Sequence, residues 1–286
     1  MLDGPTLNRI LRNIVPRIIL NPANGHPSYA AEKVLVRPLN DKTREGVRVS
    51  SLVGRFPVYA SYDATSKSII LATNAEKVRW GKDMSRAFEG FELLKSFPNT
   101  RFDTSKVEDV TRVLAGCAYL PKLDLQGLDL RSVTRADEAL LGCGTLTSVD
   151  LAQSSLQHVY SAAGAFANCY RLVDVTMPRF LSADVIDDSP RLFSNCKSLR
   201  LIDLSKTYTY GHFDPVNLAA ACLTPNRIEI RGANVMSEES WTPHFTAPRP
   251  WEKEPYNPPL HHHNLAAIAT QEGMVAESQH FEDFDR

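Results

Sequence analysis

The stretch FDTSKVEDVTRVLAGCAYLPKLDL, residues 102–125, carries one cysteine, Cys117, followed by three apolar residues at fixed offsets, Leu120, Leu123 and Leu125. The layout returns along the chain. All five cysteines, Cys117, Cys143, Cys169, Cys196 and Cys222, fall in one series with steps of 26, 26, 27 and 26 residues. Three, six and eight residues after them stand Leu146, Val149 and Leu151, then Leu172, Val175 and Met177, then Leu199, Ile202 and Leu204. The fifth copy, Pro225, Ile228 and Ile230, is weaker, and one period upstream Phe91 takes the cysteine slot ahead of Leu94 and Phe97. Phe88, Leu114, Leu140, Phe166, Phe193 and Ala219 precede the slot by three residues, and Val107, Val133, Val159 and Val185 follow it by sixteen.

A period of this length marks a solenoid, whose repeats cannot bury their apolar faces alone and stack on one another. L-x-x-L-x-L puts its last two apolar residues on one face of a short strand, because strand side chains alternate. The segment before each cysteine has room for a helical turn or two, with Thr111, Asp137, Ser161 and Ser189 placed as caps. The expected fold is therefore α/β, a leucine-rich-repeat-like solenoid of about six 26-residue coils of strand, turn and short helix. Each cysteine is then a small inward-facing hydrophobe at the bend. Zinc ligands come in C-x₂₋₄-C pairs, whereas no two cysteines here lie closer than 26 residues. Stacked coils could still bring thiols together as a metal or redox pair, but the buried structural thiol is the favoured reading.

The segments DMSRAFEGFELLKSF (83–97), FDTSKVEDVTRVLAGCAYLPKLDL (102–125) and LLGCGTLTSVDL (140–151) resemble the 26-residue repeat of bacterial surface proteins, a leucine-rich-repeat relative found in lipoproteins and adhesins. AFANCYRLVDVTMP (165–178) is similar to the related BspA-type repeat. The resemblance covers roughly residues 80–230. It implies a binding solenoid without a catalytic centre, at a cell surface.

Around the repeats, residues 1–82 read as a helix and a β-rich cap, 83–240 as the solenoid, and 241–286 as a proline-rich, acidic tail. In PTLNRILRNI (5–14), Leu7, Ile10, Leu11 and Ile14 share a helical face, with Arg9 and Arg12 off it, and the helix is expected to dock on the protein's own body. KVLVRPL, GVRVSSLVGRFPVYASYD and KSIILAT are strand-like, the last two forming a hairpin around ATS. They would cover the first coil's open apolar edge. Six prolines within residues 242–260 suit an extended strap, and one short helix is expected within 264–286. The His261–His263 run reads as solvated histidines rather than a metal site.

Function classes narrow accordingly. Nucleophile elbows, phosphate loops, H-E-x-x-H and C-x-x-C are missing from the sequence, so no enzyme, cofactor or metal is expected. No apolar run approaches a membrane span, and no signal peptide is read at the N-terminus. Without a signal, a cytoplasmic or virion location competes with the cell surface. Residues 1–60 hold nine Lys/Arg against four Asp/Glu, and residues 241–286 three against seven. A basic head and an acidic tail suit assembly contacts, and nucleic acid is not an expected partner.

The strongest surface signal is acidic. Seven residues after each cysteine stand Asp124, Asp150, Thr176, Asp203 and Glu229. Lying between two inward residues, they must point outward. Asp124, Asp150, Asp203 and Glu229 are the candidate partner-binding residues, facing a cationic protein or glycan. The alternative is that these aspartates serve solubility or hydrogen bonds between coils. The competing function is a structural subunit of a larger assembly such as a phage particle.

Overall fold

The computed structural model describes residues 1–19, 27–51, 55–125, 127–182, 191–210, 228–232, 234–235, 266–270 and 273–275. Its centre is a β-solenoid of about five turns, with slot residues Phe91, Cys117, Cys143, Cys169 and Cys196 defining coils 1 to 5. A β-rich region precedes it. Cys222, Ser189, Val185, the proline-rich stretch and His261–His263 lie outside the described residues.

The short helix expected before each cysteine is not there at Cys117, Cys143, Cys169 and Cys196; these segments are turns, and α-helix among the described residues is confined to the N-terminal region. The hydrogen bonds give the reason. In coil 2 the N–H groups of Arg112, Leu114 and Gly116 donate to the carbonyls of Asp137, Ala139 and Leu141 in coil 3, at 2.9, 3.0 and 2.7 Å. Those of Val113, Ala115 and Cys117 instead close local turns onto Val110, Arg112 and Leu114, each at 3.1 Å. Alternate N–H groups thus point along the solenoid axis, which an α-helix forbids because all its N–H groups run along the helix. Left-handed residues enforce the alternation. Arg86, Arg112, Glu138, Gly164 and Arg191 form one series at positive φ, and Gly90, Gly116, Gly142, Asn168 and Asn195 another. Two such residues per coil stop a right-handed helix from propagating. Of the expected caps, Asp137 and Ser161 act between coils instead: Asp137 Oδ1 accepts from the N–H of Ala163 at 2.9 Å and from the Ser161 hydroxyl, while the Thr111 hydroxyl is buried and makes no hydrogen bond among the described residues.

This rear ribbon also explains the cysteines. Each thiol donates to a carbonyl of the preceding coil: Cys117 to Phe88, Cys143 to Leu114, Cys169 to Leu140 and Cys196 to Phe166, at 3.0–3.4 Å. All four are buried and free. The slot accepts a small side chain with a weak donor, which a free cysteine supplies.

Before the solenoid, α1 (Gly4–Ile14) begins at Asp3, whose Oδ1 accepts from Thr6 N. Strands β1 (Arg17–Ile19) and β2 (Pro27–Tyr29) pair antiparallel. β3 (Lys33–Arg37), β4 (Val47–Arg48), β5 (Tyr59–Asp63) and β6 (Ser68–Ala72) form a sheet in the order β3-β6-β5-β4, with α2 (Asp41–Arg44) after β3. β5 and β6 are the expected hairpin around residues 64–66. The sheet is continuous with coil 1, where Lys33 bridges to Ser96 and Lys95 N donates to Glu32 O at 2.7 Å.

The helix closes the rear ribbon. In every later coil the outward carbonyls are taken by the coil before; coil 1 has none before it. There Gly4 N donates to Asp83 O at 2.9 Å, Asn8 Nδ2 to Ala87 O and Glu89 O at 3.4 and 3.1 Å, and Arg12 to Glu89 O at 3.1 Å. Gly4, Asn8 and Arg12, spaced one helical turn apart, thus present their donors to the carbonyls of Asp83, Ala87 and Glu89. Arg12, expected off the docking face, is part of it.

Strands then follow coil by coil. β7 (Val78–Arg79) pairs with β8 (Phe102–Asp103). At the front, β9 (Ser148–Asp150), β11 (Asp174–Thr176), β13 (Leu201–Asp203) and β15 (Ile228–Arg231) run parallel. Beside them β10 (Ser155–Leu156), β12 (Phe180–Ser182), β14 (Tyr208–Tyr210) and β16 (Asn234–Val235) form a second parallel sheet. β17 (Ala266–Thr270) joins β15 antiparallel, and β18 (Gly273–Val275) joins β17. The helix expected within 264–286 is thus a strand pair where described, since an extended segment can satisfy the β15 edge and a helix cannot.

Inside, the columns Phe88-Leu114-Leu140-Phe166-Phe193 and Leu94-Leu120-Leu146-Leu172-Leu199 are buried throughout. Trp80, Phe88, Phe97 and Phe102 pack edge-to-face at the first coil, and Tyr29 lies on Phe91 at 4.8 Å. The N-terminal region and the solenoid share one core.

Candidate functional site

The front strands present two outward rows. The register aligns Ser148, Asp174, Leu201 and Glu229 in one, and Asp150, Thr176, Asp203 and Arg231 in the other. Leu123 bridges to Val149, which brings Lys122 and Asp124 of coil 2 alongside them. Asp124 and Asp150 therefore sit on adjacent coils, and Asp203 joins their row beyond Thr176. Glu229 does not. The final step is two residues longer than the cysteine spacing implies, so Ile230 pairs with Ile202 and Arg231, not Glu229, meets Asp203. Ile228 and Ile230 are both buried, and alternation forces Glu229 and Arg231 outward between and after them. There Arg231 Nε donates to Glu229 Oε1 at 2.6 Å.

The aspartates have local work as well. Asp150 Oδ1 accepts from Ala152 N and Asp203 Oδ1 from Ser205 N, both at 2.8 Å. Such bonds to the N–H two residues on turn the chain out of its strand. Partial burial raises the pKa of the Asp203 carboxyl, but the Ser205 hydroxyl and N–H, with Arg231 and Lys206 nearby, outweigh it and bring the pKa below the ordinary value. Turn formation uses one oxygen of each carboxylate and leaves its charge on the surface. Adjacent strands lie about 4.8 Å apart, and two exposed carboxylates held at that spacing repel by about 1 kcal/mol in water. The two rows hold five carboxylates, Asp124, Asp150, Asp174, Asp203 and Glu229, and two cations, Lys122 and Arg231, with Lys206 near Asp203.

Coil 2 interrupts this surface. A depression of about 320 Å³ opens there, rimmed by Lys122, Asp124, Ser148, Asp150, Gln153 and Ser154 and floored by Leu123, Leu125 and Leu128. It brings together two of the four predicted residues; Asp203 and Glu229 stay outside it.

Of other chemistry, the thiols are removed from solvent. Burial pushes the pKa values of Cys117, Cys143 and Cys169 far up and that of Cys196 to about 12, so none supplies a thiolate near neutrality. His158 Nε2 lies 3.2 Å from Gln157 Nε2. Among the described residues no group of three or more His, Cys, Asp or Glu side chains is placed to hold a metal, and no helix is long and apolar enough to cross a membrane.

Sequence reasoning missed Lys122 and Asp174, which follow the cysteine slots by five residues and share the outward face. The signal was present, since a strand exposing position seven also exposes position five. Comparison with protein-family models, curated proteins and solved structures finds no match.

Proposed function

We propose that the protein is a non-enzymatic binding scaffold, a divergent relative of the BspA-type leucine-rich repeats, whose front strand face recognises a basic protein surface. The carrying observation is the imbalance of the two outward rows, five carboxylates to two cations, on a rigid parallel sheet. A cationic partner relieves the repulsion between Asp124 and Asp150 and finds the Asp150 and Asp203 carboxylates already fixed by their turns, so little side-chain freedom is lost on binding. The repeat resemblance supports a cell-surface setting. A glycan partner fits the resemblance equally but makes less use of the charge.

The test is to recover what co-purifies with the native protein and measure its affinity for wild type and for the triple variant Asp124→Asn, Asp150→Asn, Asp203→Asn. Weaker binding and a flatter salt dependence in the variant support the reading. Unchanged affinity at low and high salt rejects it. Recovery of the chain in stoichiometric amount from a purified particle would replace it with a structural role in an assembly.

A further inference from the structure

The front of coil 2 differs from its neighbours in a way that its residues do not dictate. Val149 and Leu151, Val175 and Met177, and Ile202 and Leu204 are all buried, whereas Leu123 and Leu125 in the same two phases are half-buried. Leucine is as apolar as any of these, so geometry makes the difference. Leu123 bridges forward to Val149, but the equivalent part of coil 1 is engaged elsewhere, with Ser96 bridged to Lys33 of β3. Among the described residues no β-bridge joins the fronts of coils 1 and 2.

An apolar chamber of about 140 Å³ runs inside the solenoid, lined from Met84 in coil 1 to Leu192 in coil 5 and including Leu123 and Leu125. It exists because the slot seven residues before the cysteine position shrinks from Met84 and Val110 to Ala136 and Ala162. Thr104 is the one hydroxyl residue of its lining, and that oxygen is committed to the backbone of Asp129, donating to its carbonyl and accepting from its N–H, both at 2.9 Å. An aliphatic space of about this size takes a benzene-sized guest. Leu123, Leu125 and Leu128 line both the chamber and the depression rimmed by Asp124 and Asp150. These three leucines thus border both an apolar space and an acidic mouth.

We propose that coil 2 binds a small amphipathic cation, an arylalkyl amine whose ring occupies the chamber while its ammonium group faces Asp124 and Asp150. The ring finds dispersion partners that no water can supply, and the ammonium meets two carboxylates against the single cation Lys122. The site is independent of the macromolecular partner proposed above, although it shares two carboxylates with that surface.

The experiment titrates the full chain with 2-phenylethylammonium, with 3-phenylpropionate as the anion of similar shape and ethylbenzene as the neutral, reading leucine methyl resonances and calorimetry. The expected result is perturbation of the Leu123, Leu125 and Leu128 methyls by the cation, which binds about tenfold tighter than the anion because the mouth is acidic. Asp150→Asn should reduce that preference several-fold while leaving ethylbenzene binding unchanged. Ala136→Leu, which fills the chamber, should abolish binding of all three; Ala139→Val is the milder filler if that chain fails to fold. No methyl perturbation by any probe, equal affinity for cation and anion, or binding that survives the filling variant would each overturn the proposal.

Discussion

The rear ribbon and the front strands of the solenoid are built from the same repeats, yet they differ in where regularity ends. At the rear, each coil from the first to the fourth donates to the next in one pattern, down to the pair of left-handed residues. At the front, parallel ladder pairing begins only at β9 in coil 3. The rear is fixed by backbone conformation, which few residues can satisfy; the front is fixed by side-chain alternation, which many can. Stability should therefore concentrate at the rear and variation in binding at the front, an assignment that substitutions can break.

The sharpest test is Gly4→Ala. In an isolated helix alanine would gain up to about 1 kcal/mol over glycine. Here the new Cβ would stand 2.2 Å from the carbonyl oxygen of Ser85, a backbone atom with nowhere to go. The helix must lift off the first coil's carbonyl row, and we expect a loss of about 3 kcal/mol in urea unfolding. Loss below 0.5 kcal/mol would mean that α1 does not close the ribbon. Gly116→Val comes next: φ of +76° is a genuine outlier for a β-branched residue, and a cost of about 2 kcal/mol is expected. Gly116→Asn should cost well under half as much, since Asn168 and Asn195 hold the equivalent positions.

Cys143→Ala is smaller again. It removes a buried sulfur and a weak donor to Leu114 O, for about 1 to 2 kcal/mol, and should leave partner affinity untouched because the thiol lies behind the sheet. A change in affinity without a change in stability would put the cysteine column to a use that the rear ribbon does not need.

What could be read in advance divides along the same line. The period, the buried columns and the alternation of Leu123 with Asp124 and Leu125 were legible because they rest on hydrophobic phase alone. The turn-built ribbon was not, because VTRVLAGC satisfies helical spacing; the opposing signal was Gly or Asn before Cys117, Cys143, Cys169 and Cys196, a left-handed residue recurring where a helix has no place for one. The role of α1 was half legible. Its apolar face was plain, but Asn8 and Arg12 became donors only once the unpaired carbonyls of coil 1 were in place. Glu229 was misplaced because the cysteine spacing was carried through a coil whose true step is longer.

The smallest effect concerns the join between the β3 sheet and the first coil, where the front is held by charge rather than by a ladder. Glu32 accepts hydrogen bonds from Lys95 at 2.8 Å and Lys67 at 3.0 Å. The Lys95 bond, then the Lys67 bond, hold its carboxyl down to about 2, well below the ordinary range. A carboxyl whose folded pKa is depressed adds stability above its unfolded pKa of about 4.3 and loses it as pH falls toward the folded value. The contribution should thus be whole at pH 6 and vanish between about pH 4.5 and 2. Both lysines are half exposed, 50 and 58%, so solvent screening limits the effect to less than about 1 kcal/mol. Glu32→Gln should lower stability by that amount at pH 6 and by nothing near pH 2, converging with wild type as the acid arm is descended. Because Lys95 N and the Lys33–Ser96 bridge still join the sheet to coil 1 through backbone, the variant should also keep a single unfolding transition. Two transitions would show that charge, not the shared core around Phe91 and Trp80, couples the N-terminal region to the solenoid.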